Sequence, residues 1–310
     1  YVLWSYKVIC SKMSFSYEII KPENIDEYVV DFRSLEKGII YPLENGNGSF
    51  YIDHGSEYHP FFTQQGSKVR FIVIKDKNEI IGTAAGIWKT INMGGIGYNG
   101  LYAADLKIKK DFRGKKIFKK LMWRLFLKWP IIKDYQGWDF CFFCTMLKNG
   151  VGVEKSFKGI TPAKLVRHSG MIYIYMVEPE KINSLNFLDM PNVSYNNPIN
   201  LSPERNELVL WNNGKKDIIN SQGKGTYKFG HLNPEMILSH DYDKINKAIL
   251  SIAKKGGIVC FGIDERQSDI IRWFESMKIS TKTRCKVFSF SPFAPSMKNF
   301  DNIFISTGEI

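Results

Sequence analysis

The residues whose chemistry is easiest to name lie between positions 101 and 129. Tyr102-Ala103-Ala104-Asp105-Leu106-Lys107-Ile108 reads as a strand. Lys109-Lys110-Asp111-Phe112-Arg113-Gly114-Lys115-Lys116 follows as a basic turn, and 117–129 reads as a helix with an unbroken apolar stripe. A strand that passes through a tight turn into a helix N-terminus makes an anion site. The N–H groups of the first turn have no intrahelical partner, and the helix dipole puts partial positive charge there. Gly114 allows backbone to approach a phosphate closely. Positions 105–134 hold eleven Lys or Arg and three Asp, a surplus of eight in a chain whose net charge is +12. Such a field attracts a polyanion. The plainer reading is a solvated basic helix face, because many of these lysines lie opposite the apolar stripe.

Other chemistry-bearing residues carry less. Cys141-Phe142-Phe143-Cys144 spells C-x-x-C, but residues three apart in a strand point to opposite faces, so a buried structural role is expected. His54 and His59, with Asp53 and Glu57, lie in a Gly/Pro-rich loop without metal-ligand spacing, and read as surface or cleft residues. The aromatic residues of 50–62 are expected to form a satellite cluster under that loop, or the lining of a substrate pocket. The sequence contains no P-loop lysine motif and no nucleophile elbow.

The elements that must position these residues can be read in order. A short strand at 17–21 precedes a helix at 25–36, and 41–67 reads mostly as loop. Strands at 69–75 and 80–88 form a hairpin, and 92–100, with four glycines, reads as a turn. An almost wholly apolar strand over 138–147 is expected to be buried on both faces. A helix is expected at 151–158 and strands at 164–167 and 171–177. Positions 178–204, with four prolines and many asparagines, read as a linker. Beyond it the element order repeats: strand 207–211, helix 242–253, strand 257–263, helix 269–277, strands 284–290 and 302–306.

The chain has 310 residues, 44% apolar and 14% aromatic, which suits one large or two ordinary packed domains. Five cysteines are too few for a disulfide scaffold. The longest apolar runs stop well short of the ~20 residues of a membrane span. Residues 1–12 begin without Met and lack the pattern of a secretory signal, and are expected to be either an upstream extension or a mis-called start ahead of Met13.

The order strand, helix, loop, hairpin, strand, basic turn, helix, buried strand resembles the GCN5-related N-acetyltransferase (GNAT) superfamily. The residues that carry the resemblance are Asn78-Glu79-Ile80-Ile81-Gly82 in the hairpin and the run from Leu106 to Phe118. The family's turn reads Arg/Gln-x-x-Gly-x-Gly/Ala. Arg113 matches it, whereas Lys116 and Phe118 stand where glycines are usual. The resemblance covers 17–177, with an echo over 206–306. It implies an α/β (α+β) fold: a mixed central sheet flanked by helices, followed by a second, smaller GNAT-like domain. The expected division is a 1–12 extension, a 13–178 acyl-CoA-binding domain, a 179–205 linker and a degenerate 206–310 domain.

The resemblance also implies a reaction: direct acyl transfer from acetyl-CoA, as co-substrate, to a small-molecule or peptide amine, without a metal. Leu106, Lys107 and Ile108 would hold the pantetheine amides. Arg113, Gly114, Lys115, Lys116, Ile117 and Phe118 would cradle the pyrophosphate. Asp105, the one acidic residue of its strand, is the candidate base, with Glu154 a weaker one. Family members often take a tyrosine after the apolar strand as the acid. Positions 149–160 contain none, so Ser156, a poor substitute, or water would have to serve. A binding module that has lost catalysis, or an aminoacyl or fatty-acyl transferase on a tandem scaffold, are the alternatives. Nucleic acid and membrane are not expected as partners, since no reader motif or span is present, and a cytoplasmic location is expected.

Overall fold

The computed structural model describes residues 15–43, 48–147, 152, 159–205, 208–223 and 225–310. The 1–12 extension, the helix expected over 151–158 (save Gly152), and the candidates Glu154 and Ser156 lie outside the described residues.

The first half opens with β1 (Ser16–Ile20), helix α1 (Val29–Lys37), and the short strands β2 (Tyr41–Pro42) and β3 (Ser49–Asp53). One helical turn, α2 (Pro60–Thr63), leads to the long strands β4 (Lys68–Asp76), β5 (Glu79–Met93) and β6 (Ile96–Ile108). Helix α3 (Ile117–Lys128), β7 (Phe140–Met146) and β8 (Arg167–Val177) follow. The second half contains α4 (Pro179–Asn183), β9 (Pro198–Asn200), β10 (Asp217–Asn220), β11 (Thr226–Tyr227) and β12 (Phe229–His231). It ends with α5 (Pro234–Leu238), α6 (Tyr242–Lys254), β13 (Ile258–Asp264), α7 (Ser268–Ser276), β14 (Thr283–Phe290) and β15 (Asn302–Phe304).

One mixed sheet runs through both halves in the order β1-β4-β5-β6-β7-β14-β8-β13-β12. Strand β14, from the second half, lies antiparallel between β7 and β8 of the first. A smaller four-stranded sheet, β11-β10-β3-β2, also joins strands from both halves.

Alternation along β4 decides which helix packs where. Val69, Phe71 and Val73 face the main core, where α1 presents Phe32 and Leu35. Ile72 and Ile74 face the other way, and there Ile117 and Leu121 of α3 cover them. The second half has its own core, in which Ile245, Ile249 and Ile252 of α6 meet Ile270 and Phe274 of α7 over Val259, Phe261 and Ile263. No helix among the described residues is long and apolar enough to cross a membrane.

Several local readings are corrected. The glycine-rich stretch 92–100 is strand on both sides of a tight tip, with Met93 paired to Ile96 and Gly94-Gly95 turning at positive φ. Residues 162–165 form a 3-10 turn capped by the Thr161 hydroxyl, not a strand. The proline-rich stretch after 178 is not an exposed tether. Ile182, Phe187 and Met190 are buried in the second core, and Ile199 and Leu201 in the first. The proline spacing signals chain reversals, and the apolar residues between them supply the anchors.

Candidate functional site

β6 and β7 run parallel but pair only over Gly100–Phe140, Leu101–Cys141 and Tyr102–Phe142. Past that point β6 continues along β5 and β7 continues along β14, so the sheet forks. Stacked rings mark the fork: Tyr102 and Phe142 lie 4.9 Å apart at 12°. Residues 103–108 of β6 therefore offer a main-chain edge with no strand on the β7 side among the described residues.

A bulge follows. The β5–β6 register shifts between Thr83 and Ala85, so Asp105 and Leu106 have no partner in the ladder, and Asp105 has φ 57°. The extra residue reverses the parity of the strand. Tyr102 is in the main core, and strict alternation from it would send Lys107 to the opposite face. Instead Lys107 is 1% exposed on the α1 side, and Ile108 packs with Ile117 on the other. Gly82 stands opposite Ile108, where a β-carbon would come within 2.6 Å of the Lys107 carbonyl oxygen. The glycine of the hairpin is thus required by the close approach of β5 to the bulge.

Lys107 changes role accordingly. The sequence places it in the basic patch, whereas its side chain is in the interior, bonded to Glu36 at 2.8 Å and the Tyr58 hydroxyl at 3.2 Å, and to Asp105. Asp105 accepts from Lys107 through one oxygen and from the Tyr58 hydroxyl through the other. His54 completes the cluster through its ring contact with Glu36 and a backbone N–H bond to the same carboxylate at 3.1 Å. Burial, reinforced by Lys107, holds the His54 imidazole well below its usual pKa, so it is neutral. Burial alone would weaken the Lys107 ammonium, but Asp105 and Glu36 outweigh it and raise its pKa. Burial raises Glu36, with Lys107 opposing, and pushes the Tyr58 phenol well above its ordinary range. Oxygen or nitrogen donors of Glu36, His54 and Asp105 all lie within 4.8 Å of one another, a spacing that suits a cation. The Lys107 ammonium, paired with both carboxylates, takes that role.

The basic turn lies on the other side of the bulge. Lys109 N–H bonds to Ile81 O at 2.8 Å, and Arg113 Nε to Ile108 O at 2.9 Å, which ties the turn back to the hairpin. Arg113, Gly114, Lys115 and Lys116 are exposed, Ile117 is buried and Phe118 is half-buried. Gly114 has φ 78° and Lys116 φ 62°, so a left-handed step survives where the family pattern has glycine. No side chain caps α3.

A second buried cluster comes from the other half. Glu309 accepts from Lys89 at 2.9 Å and from Ser202 at 2.7 Å, and its carbonyl accepts from the Tyr102 hydroxyl at 2.9 Å. Lys216 donates to the main-chain oxygen of Ile310 at 2.8 Å.

Asp105, Leu106, Lys107 and Ile108 are thus adjacent to the fork, and 113–118 stand beyond it. Glu36, Lys89, Lys216 and Glu309 escape the sequence reading. The sequence reading makes His54 a surface or cleft residue, whereas it lies in the expected loop but is 2% exposed. Tyr58, Phe61 and Phe62 belong to the main core rather than to a satellite cluster. The C-x-x-C thiols are separated as expected: Cys144 neighbours Cys285, while burial pushes Cys141 up to about 12.

No protein-family model and no curated protein matches the chain. Solved structures do. Saccharomyces cerevisiae N-myristoyltransferase with bound myristoyl-CoA aligns with a TM-score of 0.52 and 11% identity, over 90% of this chain and 83% of that one. A tandem GNAT protein from the clavulanic acid biosynthesis pathway aligns with a TM-score of 0.50 and 10% identity, over 91% and 99%. The chain has the GNAT-like fold, with a large central mixed sheet flanked by helices.

Proposed function

We propose that this protein is an acyl-CoA-dependent N-acyltransferase acting on an amine. The observation that carries the reading is the fork after Tyr102 and Phe142, with its unpaired β6 edge leading into an exposed, cationic, uncapped helix start. Extended amide chemistry of the pantetheine kind suits the free edge at 106–108. A diphosphate suits the turn at 113–118, where free N–H groups, a left-handed backbone and Arg113 converge. The interrupted ladder at Asp105 and Leu106 releases peptide groups beside the fork, where a thioester carbonyl needs donors as it becomes an oxyanion. Asp105 gives the attacking ammonium a carboxylate. Acetyl is the expected acyl group. The likeness to a myristoyl-CoA-bound enzyme makes a long-chain donor the second one to try.

The test is ligand linkage. Acetyl-CoA or myristoyl-CoA at about 100 Kd should stabilise the protein by about 2.7 kcal/mol. The Arg113→Glu variant should lose that shift while unfolding as the wild type does without ligand. If neither thioester moves the melting temperature of the wild type, the reading is wrong.

A further inference from the structure

Acyl transfer needs a group that removes a proton from the attacking ammonium. Asp105 has both carboxylate oxygens already engaged, by Tyr58 and by Lys107. Lys216, just before β10, is differently placed. It is 6% exposed, rests 4.6 Å from the centre of the Phe61 ring, and donates once, to Ile310 O. A lysine ammonium carries three donors. Two of these have no hydrogen-bond partner among the described residues.

Its position relative to the fork follows from two chains of contacts. Tyr102, the last paired residue of β6 before the fork, bonds to Glu309 O, and the next residue's oxygen holds Lys216. On the other side, the Phe61 ring beneath Lys216 has its centre 5.0 Å from that of His54, the partner of Glu36 in the cluster behind the bulge. Lys216 is therefore joined by short chains of contacts both to Tyr102 at the fork and to the cluster behind the bulge.

Building on the acyl-transfer reading, we infer that Lys216 is a further catalytic residue: the second half supplies it as proton acceptor for the amine attacking at the first half's fork. Its neutral ε-amine takes one proton from the substrate ammonium. The nitrogen lone pair then forms the C–N bond at the thioester carbonyl, and the C–S bond breaks with its electrons on sulfur. The extra proton on the new amide nitrogen passes to the departing thiolate, and the Lys216 proton goes to solvent.

The surroundings suit that cycle. Burial, aided by Arg205 and Lys107, lowers the Lys216 pKa to about 8 against the pull of Asp105 and Glu309. Burial also keeps the neighbouring His54 and His231 neutral, and the Cys260 thiol protonated. A base is most effective when its pKa lies near the working pH, and buried lysines reach that range where arginine does not.

The experiment measures CoA release from acetyl-CoA and myristoyl-CoA with spermidine, lysine and triglycine as acceptors. The wild-type kcat should rise with pH and level off above about 8. Lys216→Met should lose about 10²–10³-fold in kcat together with that pH limb, leaving KM for the thioester unchanged. Lys216→Arg keeps the charge and the bond to Ile310 but cannot deprotonate, so it should be as slow as Lys216→Met. Near-normal activity in the arginine variant, or a loss under threefold in the methionine variant, overturns the assignment. If the wild type itself releases no CoA, the acyl-transfer reading has failed, and Lys216 is then judged separately. In [13C]lysine-labelled protein, the Cε resonance absent from Lys216→Met should titrate near pH 8. A midpoint near the ordinary ~10.4 would exclude it as a base.

Discussion

In the first half, parallel strands β6 and β7 are joined by a crossover that contains α3. In the second, parallel strands β12 and β13 are joined by one that contains α5 and α6, and again only three residue pairs form. The two differ at the helix start and at the strand ends. Helix α6 is closed by its own sequence: the Asp241 carboxylate accepts from Lys244 N–H at 3.0 Å, filling the orphan-donor position with a negative charge. Helix α3 begins at Lys116 in a left-handed conformation with no cap and a cationic approach. Strand β12 ends at His231, so nothing remains to part from β13, whereas β6 runs six residues past its last pair with β7. A fork needs two strands that both continue, and an anion site needs a helix start that its own side chains do not fill. The first crossover meets both conditions and the second meets neither.

The sharpest challenge to this comparison is aimed at the ion cluster behind the bulge. Lys107→Met leaves the buried Glu36 and Asp105 carboxylates without their cation, and should cost about 3–5 kcal/mol in urea unfolding. A loss below 1 kcal/mol would mean that the cluster is not the support of the bulge. The closed helix start gives a smaller effect. Asp241→Ala should destabilise by about 1 kcal/mol, and should leave any stabilisation by acyl-CoA unchanged. Were it to abolish that stabilisation, the ligand would belong to the second crossover. The smallest effect tests the open helix start. Lys116 has φ 62°, so Lys116→Gly removes a left-handed penalty and should gain about 0.5–1 kcal/mol in the same melts. A loss instead would show that the lysine side chain, not the backbone, shapes the turn.

The long elements were legible because their signals are local. The apolar stripe of 117–128 and the alternation of β4 and β5 are written in consecutive residues, and both halves of the strand–helix–strand order follow from them. Gly114 and the charge surplus of 105–134 pointed to the exposed turn for the same reason. The stretch 41–67 was harder. Its glycines and prolines announced a loop, yet Tyr58, Phe61 and Phe62 enter the main core, because short segments between reversals are held by burial rather than by periodicity. Asp105 and Lys107 stand two residues apart in the sequence, and they form an ion pair.

By itself the sequence determined the order of elements, the apolar faces and the cationic helix start. Each of these depends on residues within a turn or two of one another. Only the tertiary structure decided that Lys107 turns inward, because one inserted residue at the bulge reverses the parity of all that follows. It alone also gathered Glu36, His54, Tyr58 and Asp105 around Lys107, with Lys216 over the neighbouring Phe61 ring. Those residues come from four separate segments, and burial of charge is settled by partners distant in the chain, which no local pattern encodes.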